Sequence, residues 1–264
     1  MNGPDIEAVR QGQAAHAALF DVSGKVVLIT GAVGGIGAFI AGAFAAAGAR
    51  LVVADRSAEA AKRLADQLEN TTAVSLDVAH KASCATAVSA AMEAYGGLHV
   101  LINCAGVNTR LRPEAYDKAT WDQIVDVNLK GTFLMSQAAY PALKGGGKIV
   151  NFGSILSLAS NAVTAPYSAS KGGVLQLTRS LACAWAEDGI SVNAILPGWI
   201  DTPLSRQARI DIPGHAERVV ETTPMRRWGM PADLVGATIF LSSSASDFVT
   251  GAHVVVDGGV MAQV

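Results

Sequence analysis

The chain has 264 residues, half of them apolar, with a formal net charge of −2 and only 16% charged side chains. Its isoelectric point near 6.2 leaves no basic field to gather the phosphates of a nucleic acid. Cys84, Cys104 and Cys183 are odd in number and far apart, and neither they nor the five histidines show metal-ligand spacing, which argues against a disulfide framework or a metal centre and for a reduced, cytoplasmic protein.

Residues 1–20 contain Asp5, Glu7 and Arg10 but no apolar run of the secretory kind, and read as a surface arm. Residues 26–49 carry no charge and are long enough to qualify as a membrane span, yet six glycines interrupt them, and their composition changes from β-branched to alanine-rich. A buried strand over 26–30, a glycine turn and a buried helix over 36–47 account for them better. Further apolar runs at 51–54, 73–76, 100–103, 148–152, 191–196 and 253–256 alternate with helical patterns at 57–68, 81–95, 120–143, 167–187 and 231–241. Most of the strand runs are apolar throughout, so both their faces should be buried. This predicts one domain over residues 1–264: a Rossmann-like, doubly wound α/β fold with a seven-stranded parallel sheet and helices on both faces. Residues 201–228 hold Pro203, Pro213 and Pro224 and follow neither period, so they are expected to form an irregular insertion able to close over a site, or an inert surface excursion.

The first strand leads into Thr30-Gly31-Ala32-Val33-Gly34-Gly35-Ile36-Gly37 and then a helix. In that context glycines let backbone approach a pyrophosphate at a helix N-terminus, although the spacing departs from the usual Gly-x-Gly-x-x-Gly. The second strand ends in Asp55, placed to accept hydrogen bonds from ribose hydroxyls and to repel a 2′-phosphate, which favours NAD over NADP. Arg56 would offer such a phosphate some attraction, and Asp55 could instead cap the next helix.

Taken with Asp77-Val78, Asn103-Cys104-Ala105-Gly106, Asn128, Ser154, Tyr167-x-x-x-Lys171 and Pro197-Gly198, this turn makes the chain resemble a classical short-chain dehydrogenase/reductase from about residue 25 to 259. The resemblance implies that Asp77 and Val78 hold the adenine, that Asn103, Ala105 and Gly106 line the cofactor trough, and that Thr202, helped by the backbone of Ile200, binds the carboxamide. Cys104 stands where family members commonly carry Asn.

Tyr167 and Lys171 are four apart on a predicted helix and share one face. A free tyrosine titrates near 10, and the Lys171 ammonium beside an oxidised nicotinamide would favour the phenolate, making Tyr167 a proton acceptor in oxidation and donor in reduction. Ser154 would hydrogen-bond the substrate oxygen, Lys171 the nicotinamide ribose, and Asn128 a water leading the proton outward. Arg110 or Arg112 could meet a carboxylate or phosphate, Trp199 could touch substrate, and His215 is the one histidine positioned to matter. The segments Met225-Arg226-Arg227-Trp228-Gly229 and 254–259 are similar to those of gluconate and deoxygluconate dehydrogenases. The leading expectation is an NAD-dependent secondary-alcohol oxidoreductase acting on a sugar or sugar acid. Its rivals are an NADPH-dependent 3-oxoacyl-thioester reductase and a catalytically silent nucleotide-binding scaffold. Apolar residues on several faces of the helices at 120–143 and 167–187 point to a homotetramer.

Overall fold

A computed structural model describes Glu7 and residues 18–263, the side chain of Asp211 apart. The proposed arm therefore lies almost wholly outside the described residues. Seven strands form one sheet: β1 (Val26–Thr30), β2 (Arg50–Asp55), β3 (Thr71–Ser75), β4 (Val100–Asn103), β5 (Lys148–Phe152), β6 (Ser191–Pro197) and β7 (His253–Val256). Their order is β3-β2-β1-β4-β5-β6-β7, and every pairing is parallel. The order reverses between β1 and β4, so the crevice beyond the carboxyl ends of these two strands is the topological switch point of the fold.

Successive residues of β1 show why the strands read as unbroken apolar runs. Val26 and Leu28 pack into one core with Leu101, Met135, Leu143 and Leu181, while Val27 and Ile29 pack into the other with Ile40, Phe44, Ile102 and Leu241. Side chains alternate across a strand, so a strand covered on both faces must be apolar at every position. The covering helices are α1 (Gly35–Ala46), α2 (Ala58–Ala65), α3 (Lys81–Tyr95), α4 (Lys118–Val125), α5 (Gly131–Leu143), α6 (Ala165–Trp185) and α9 (Val235–Ser242). None of the described helices is long and apolar enough to cross a membrane, which disposes of the alternative for residues 26–49.

Three expectations need correction. The helix expected over 120–143 begins at Lys118 and is broken by a π-helical turn at Asp126–Lys130. The strand expected at 73–76 is shifted to Thr71–Ser75. The segment 201–228 is not irregular: it folds as α7 (Pro203–Asp211) and α8 (His215–Thr222). Its prolines sit where helices accept them, Pro203 in the first turn of α7 and Pro213 between the two helices, and Thr202 caps α7 through a reciprocal bond with Ser205.

Candidate active site

The glycine turn is shaped by close approach. Gly31 has φ +64°, and a Cβ there would lie 2.6 Å from the Cα of Ala105 on the neighbouring strand's exit loop. Thr30 locks the same junction, its Oγ1 accepting the N–H groups of Cys104 and Ala105 at 3.1 Å each. At Gly35, a Cβ would meet Pro203 and Thr202 at 2.9 and 3.1 Å, so the closing segment lies directly against the turn. Helix α1 begins there with Gly34 as its cap, no side-chain acceptor and no acidic residue in the first turn. Its N–H groups and dipole are thus free to meet an anion. Asp55 stands beside the turn, accepting from Val33 N–H at 3.3 Å and Ser57 N–H at 3.2 Å. It does not cap α2; Ser57 does, through Ala60 N–H. These features fit a dinucleotide: a backbone cradle, an uncapped helix start and a carboxylate at the end of the next strand, bonded to the turn.

Arg56 is exposed. Val78 is buried, and a Cβ at Gly131 would press within 2.6 Å of its Cγ2. Asp77 accepts Ala79 N–H at 3.0 Å and lies 3.3 Å from His80 Nδ1. The Asn103 Nδ2 belongs to the framework: it donates to Ser136 Oγ at 3.1 Å and Asn151 Oδ1 at 2.9 Å.

Tyr167 and Lys171 share one face of α6, with Lys171 Nζ 5.7 Å from the centre of the Tyr167 ring. The ammonium is buried and donates to Phe152 O at 2.7 Å; burial pushes its pKa down to about 8. Burial pushes the Tyr167 phenol up, opposed by a hydrogen bond with Ser154 and by the charge of Arg110. Within the protein, Ser154 and Arg110 thus oppose the desolvation, beside the Lys171 and nicotinamide charges expected from the sequence. Ser157, which no sequence motif announces, ties the group together. Its Oγ accepts Ser154 N–H at 3.2 Å and donates to Lys171 O at 2.8 Å, joining the end of β5 to α6.

Asn128 lies fully buried in the π turn. Its side chain accepts Val107 N–H at 2.8 Å and donates to Val107 O at 3.0 Å and Ser170 Oγ at 3.1 Å. Its amide thus anchors the loop after β4, and the second lone pair of Oδ1 can still accept a hydrogen bond.

Ile36 of the turn, Cys104, Gly106, Ser154, Tyr167 and Lys171 border a cavity of about 550 Å³, walled also by Asn108, Arg110, Trp199, His215 and Arg218, and among the described residues no acidic side chain lines it. Arg110 reaches Leu204 O at 3.5 Å, whereas Arg112 turns to solvent and pairs with Glu114. Pro197 is buried and Gly198 half-buried at the end of β6; a Cβ on Gly198 would fall 2.6 Å from that of Asp257. Ile200 is buried, its carbonyl accepting Ser205 Oγ at 2.7 Å. Trp199, His215 and Trp228 pack edge to face at 5.0, 5.9 and 6.2 Å, and Arg209 lies 3.9 Å over Trp228. Trp199 and His215 of this cluster were expected near substrate, and both line the cavity; Asn108 and Arg218 carry no motif, and for Asn108 the signal is its place two residues past Gly106.

A glycine turn at the switch point, whose Ile36 lines the same cavity as a Ser–Tyr–Lys group, fits a nicotinamide-dinucleotide oxidoreductase site. A family model described as enoyl-(acyl carrier protein) reductase matches residues 31–261, and the chain belongs to the short-chain dehydrogenase/reductase family as an enzyme of CH–OH groups. It is 40% identical to galactitol 2-dehydrogenase (L-tagatose-forming) of Cereibacter sphaeroides over 92% of this chain and 98% of that one. It is 35% identical to 2-dehydro-3-deoxy-D-gluconate 5-dehydrogenase of Escherichia coli K12, again over 92% and 98%. A crystal structure of gluconate 5-dehydrogenase from Burkholderia cenocepacia, in complex with NADP and tartrate, superposes with TM-score 0.87 at 36% identity, over 94% of this chain and all of that one.

Proposed function

We propose that this chain interconverts a secondary alcohol and a ketone on a sugar or sugar acid, using NAD. The observation that carries it is the convergence of Ser154, Tyr167 and Lys171 on one cavity, with Arg110 in its wall and, among the described residues, no acidic side chain. The bound nicotinamide supplies the hydride acceptor or donor. Tyr167 Oη takes the hydroxyl proton in oxidation and returns it in reduction. Ser154 Oγ holds the reacting oxygen and stabilises charge there, and Lys171 Nζ holds the nicotinamide ribose. Asn128 acts through Val107, fixing the loop that carries Asn108 and Arg110.

Thr30, Gly31, Gly35, Ile36 and Gly37 cradle the pyrophosphate, Asp77 and Val78 flank the adenine, and Asn103, Ala105 and Gly106 form the trough by main chain. Pro197, Gly198, Ile200 and Thr202 close on the carboxamide. Asp55 favours NAD by repelling a 2′-phosphate. Arg56 beside it and the NADP held by the Burkholderia cenocepacia relative support the second reading, NADP. We place the enzyme in the cytoplasm as a homotetramer, a reading that the exposed Trp121 on α4 and Phe133 on α5 support; light scattering should give four times the 27.1 kDa chain mass.

The deciding experiment offers NAD and NADP with hexitols and aldonates, and NADPH with acetoacetyl thioesters. Reduction of NAD by a hexitol or aldonate, lowered on the order of 10²- to 10⁴-fold in Tyr167→Phe, is the expected result. Turnover confined to NADPH and the thioester would replace this reading with the acyl-reductase one.

A further inference from the structure

Among the described residues four buried side-chain polar atoms have no hydrogen-bond partner, and two of them, Asn108 Oδ1 and His215 Nε2, belong to residues that wall the same cavity. From this we infer that Asn108 and His215 are specificity-determining residues that bind substrate hydroxyls remote from the reacting carbon. The inference rests on the proposed sugar or sugar-acid function and extends it to the groups that select the substrate.

An unmet buried polar atom costs about 1–3 kcal/mol, and native proteins hold few of them. The polar side chains around the cofactor cradle do not share this condition: Thr30, Asn103 and Asn128 each have protein partners. The two unmet atoms come from opposite directions, Asn108 from the loop after β4 and His215 from the start of α8. The other two such atoms, on Arg209 and Ser242, belong to residues outside the cavity wall.

His215 is held rigidly. It is only 8% exposed, and its ring stands at 83° to Trp199 and 82° to Trp228. Burial, with the charges of Arg110, Arg218 and Arg209 around it, holds its pKa below the usual histidine value. The neutral ring offers one N–H donor and one bare acceptor nitrogen, and Asn108 Oδ1 is an acceptor. An alcohol O–H can donate to either acceptor, and its oxygen can accept from the ring N–H. A carboxylate oxygen can only accept, and it suits Arg110 better. The pair therefore matches hydroxyls on the non-reacting part of a polyhydroxylated chain.

The test compares kcat/KM for a hexitol or aldonate with that for 2-hexanol in the full-length protein, its Asn108→Leu and His215→Phe variants, and His215→Gln. Each apolar variant should lower the polyol-to-2-hexanol ratio about 10- to 100-fold, the loss of one or two hydrogen bonds. KM for the nicotinamide cofactor should stay unchanged and the ligand-free Tm should hold or rise, because an unmet polar atom is removed. His215→Gln, keeping a polar group, should recover part of the ratio. A ratio unmoved in both apolar variants, or a falling Tm with equal losses on the two substrates, overturns the inference while leaving the proposed function standing. If the unaltered enzyme turns over no polyhydroxylated substrate but reduces another carbonyl class, both fail together.

Discussion

The glycine turn and the closing segment face the same crevice from opposite sides and are built by opposite means. Around the turn, shape comes from backbone: Gly31 is pressed against Ala105, Thr30 bonds two N–H groups, and Asn103 and Asn128 spend their amides inside the protein. Across the crevice, shape comes from large side chains, with His215 set against Trp199 and Trp228 and Arg209 stacked on Trp228. There a polar atom of His215 remains unmet. A cofactor of fixed structure can be met by a fixed backbone, whereas a substrate pocket that must distinguish one alcohol from another places its discrimination in side chains.

The strongest way to break this contrast is to put a side chain into the backbone-built half. Gly31→Ala adds a Cβ at φ +64° and 2.6 Å from a backbone atom that cannot swing aside. The conformational penalty of about 1–2 kcal/mol and the steric conflict together should lower unfolding stability by about 2–4 kcal/mol. Gly96→Ala is the control, because Gly96 has φ +75° with nothing within 4 Å of its would-be Cβ; it should lose only the conformational part, about 1 kcal/mol. Equal shifts of the urea midpoint in the two variants would show that the Ala105 contact is not what shapes the turn.

A subtler change alters charge while keeping shape. Asp55→Asn preserves a side-chain acceptor for Val33 N–H but removes the carboxylate. The ratio of kcat/KM for NADP over NAD should rise on the order of 10- to 100-fold, less than the ~4 kcal/mol that two unit charges 4 Å apart exchange near a protein surface. With Arg56 adjacent and free to meet the added phosphate, an unchanged ratio would mean that the carboxylate does not set the preference.

The same contrast explains what could be read from the sequence. The strands buried on both faces were legible as apolar runs, whereas half-buried β3, with Thr71, Thr72 and Ser75, reads two residues late at its start; the turn and Asp55 follow from spacing, and Ser154, Tyr167 and Lys171 from the resemblance to the family. The hidden parts depend on contacts between distant segments. Asn128 reads as a polar residue inside a helix, and only the fold shows that a π turn brings its amide to Val107 and Ser170. Helices α7 and α8 were masked by three prolines, because proline argues against a helix interior but not against a first turn. The bond from Ser157 to Lys171 spans 14 residues and has no periodic signature.

Arg110 joins the two halves, reaching Leu204 O in the closing segment while its charge acts on Tyr167. Its effect on the pH profile should be modest in size and the most specific in sign. Burial raises the Tyr167 pKa, and the Arg110 cation opposes that by favouring the phenolate. Arg110→Ala removes the opposition, so the phenol should hold its proton to higher pH. The ascending limb of kcat/KM for alcohol oxidation should then move toward alkaline pH, and ketone reduction, which needs the protonated phenol, should persist further in the same direction. Lys171 titrates near pH 8, and Arg110 is not among the causes of its shift. Any limb it produces should therefore stay in place. A carboxylate-bearing substrate should lose binding as well, with KM rising about 10- to 100-fold from the missing charged hydrogen bond, while a neutral hexitol should not. If the ascending limb stays fixed or moves to lower pH, the guanidinium is not coupled to the phenol, and only its contact with the closing segment would remain.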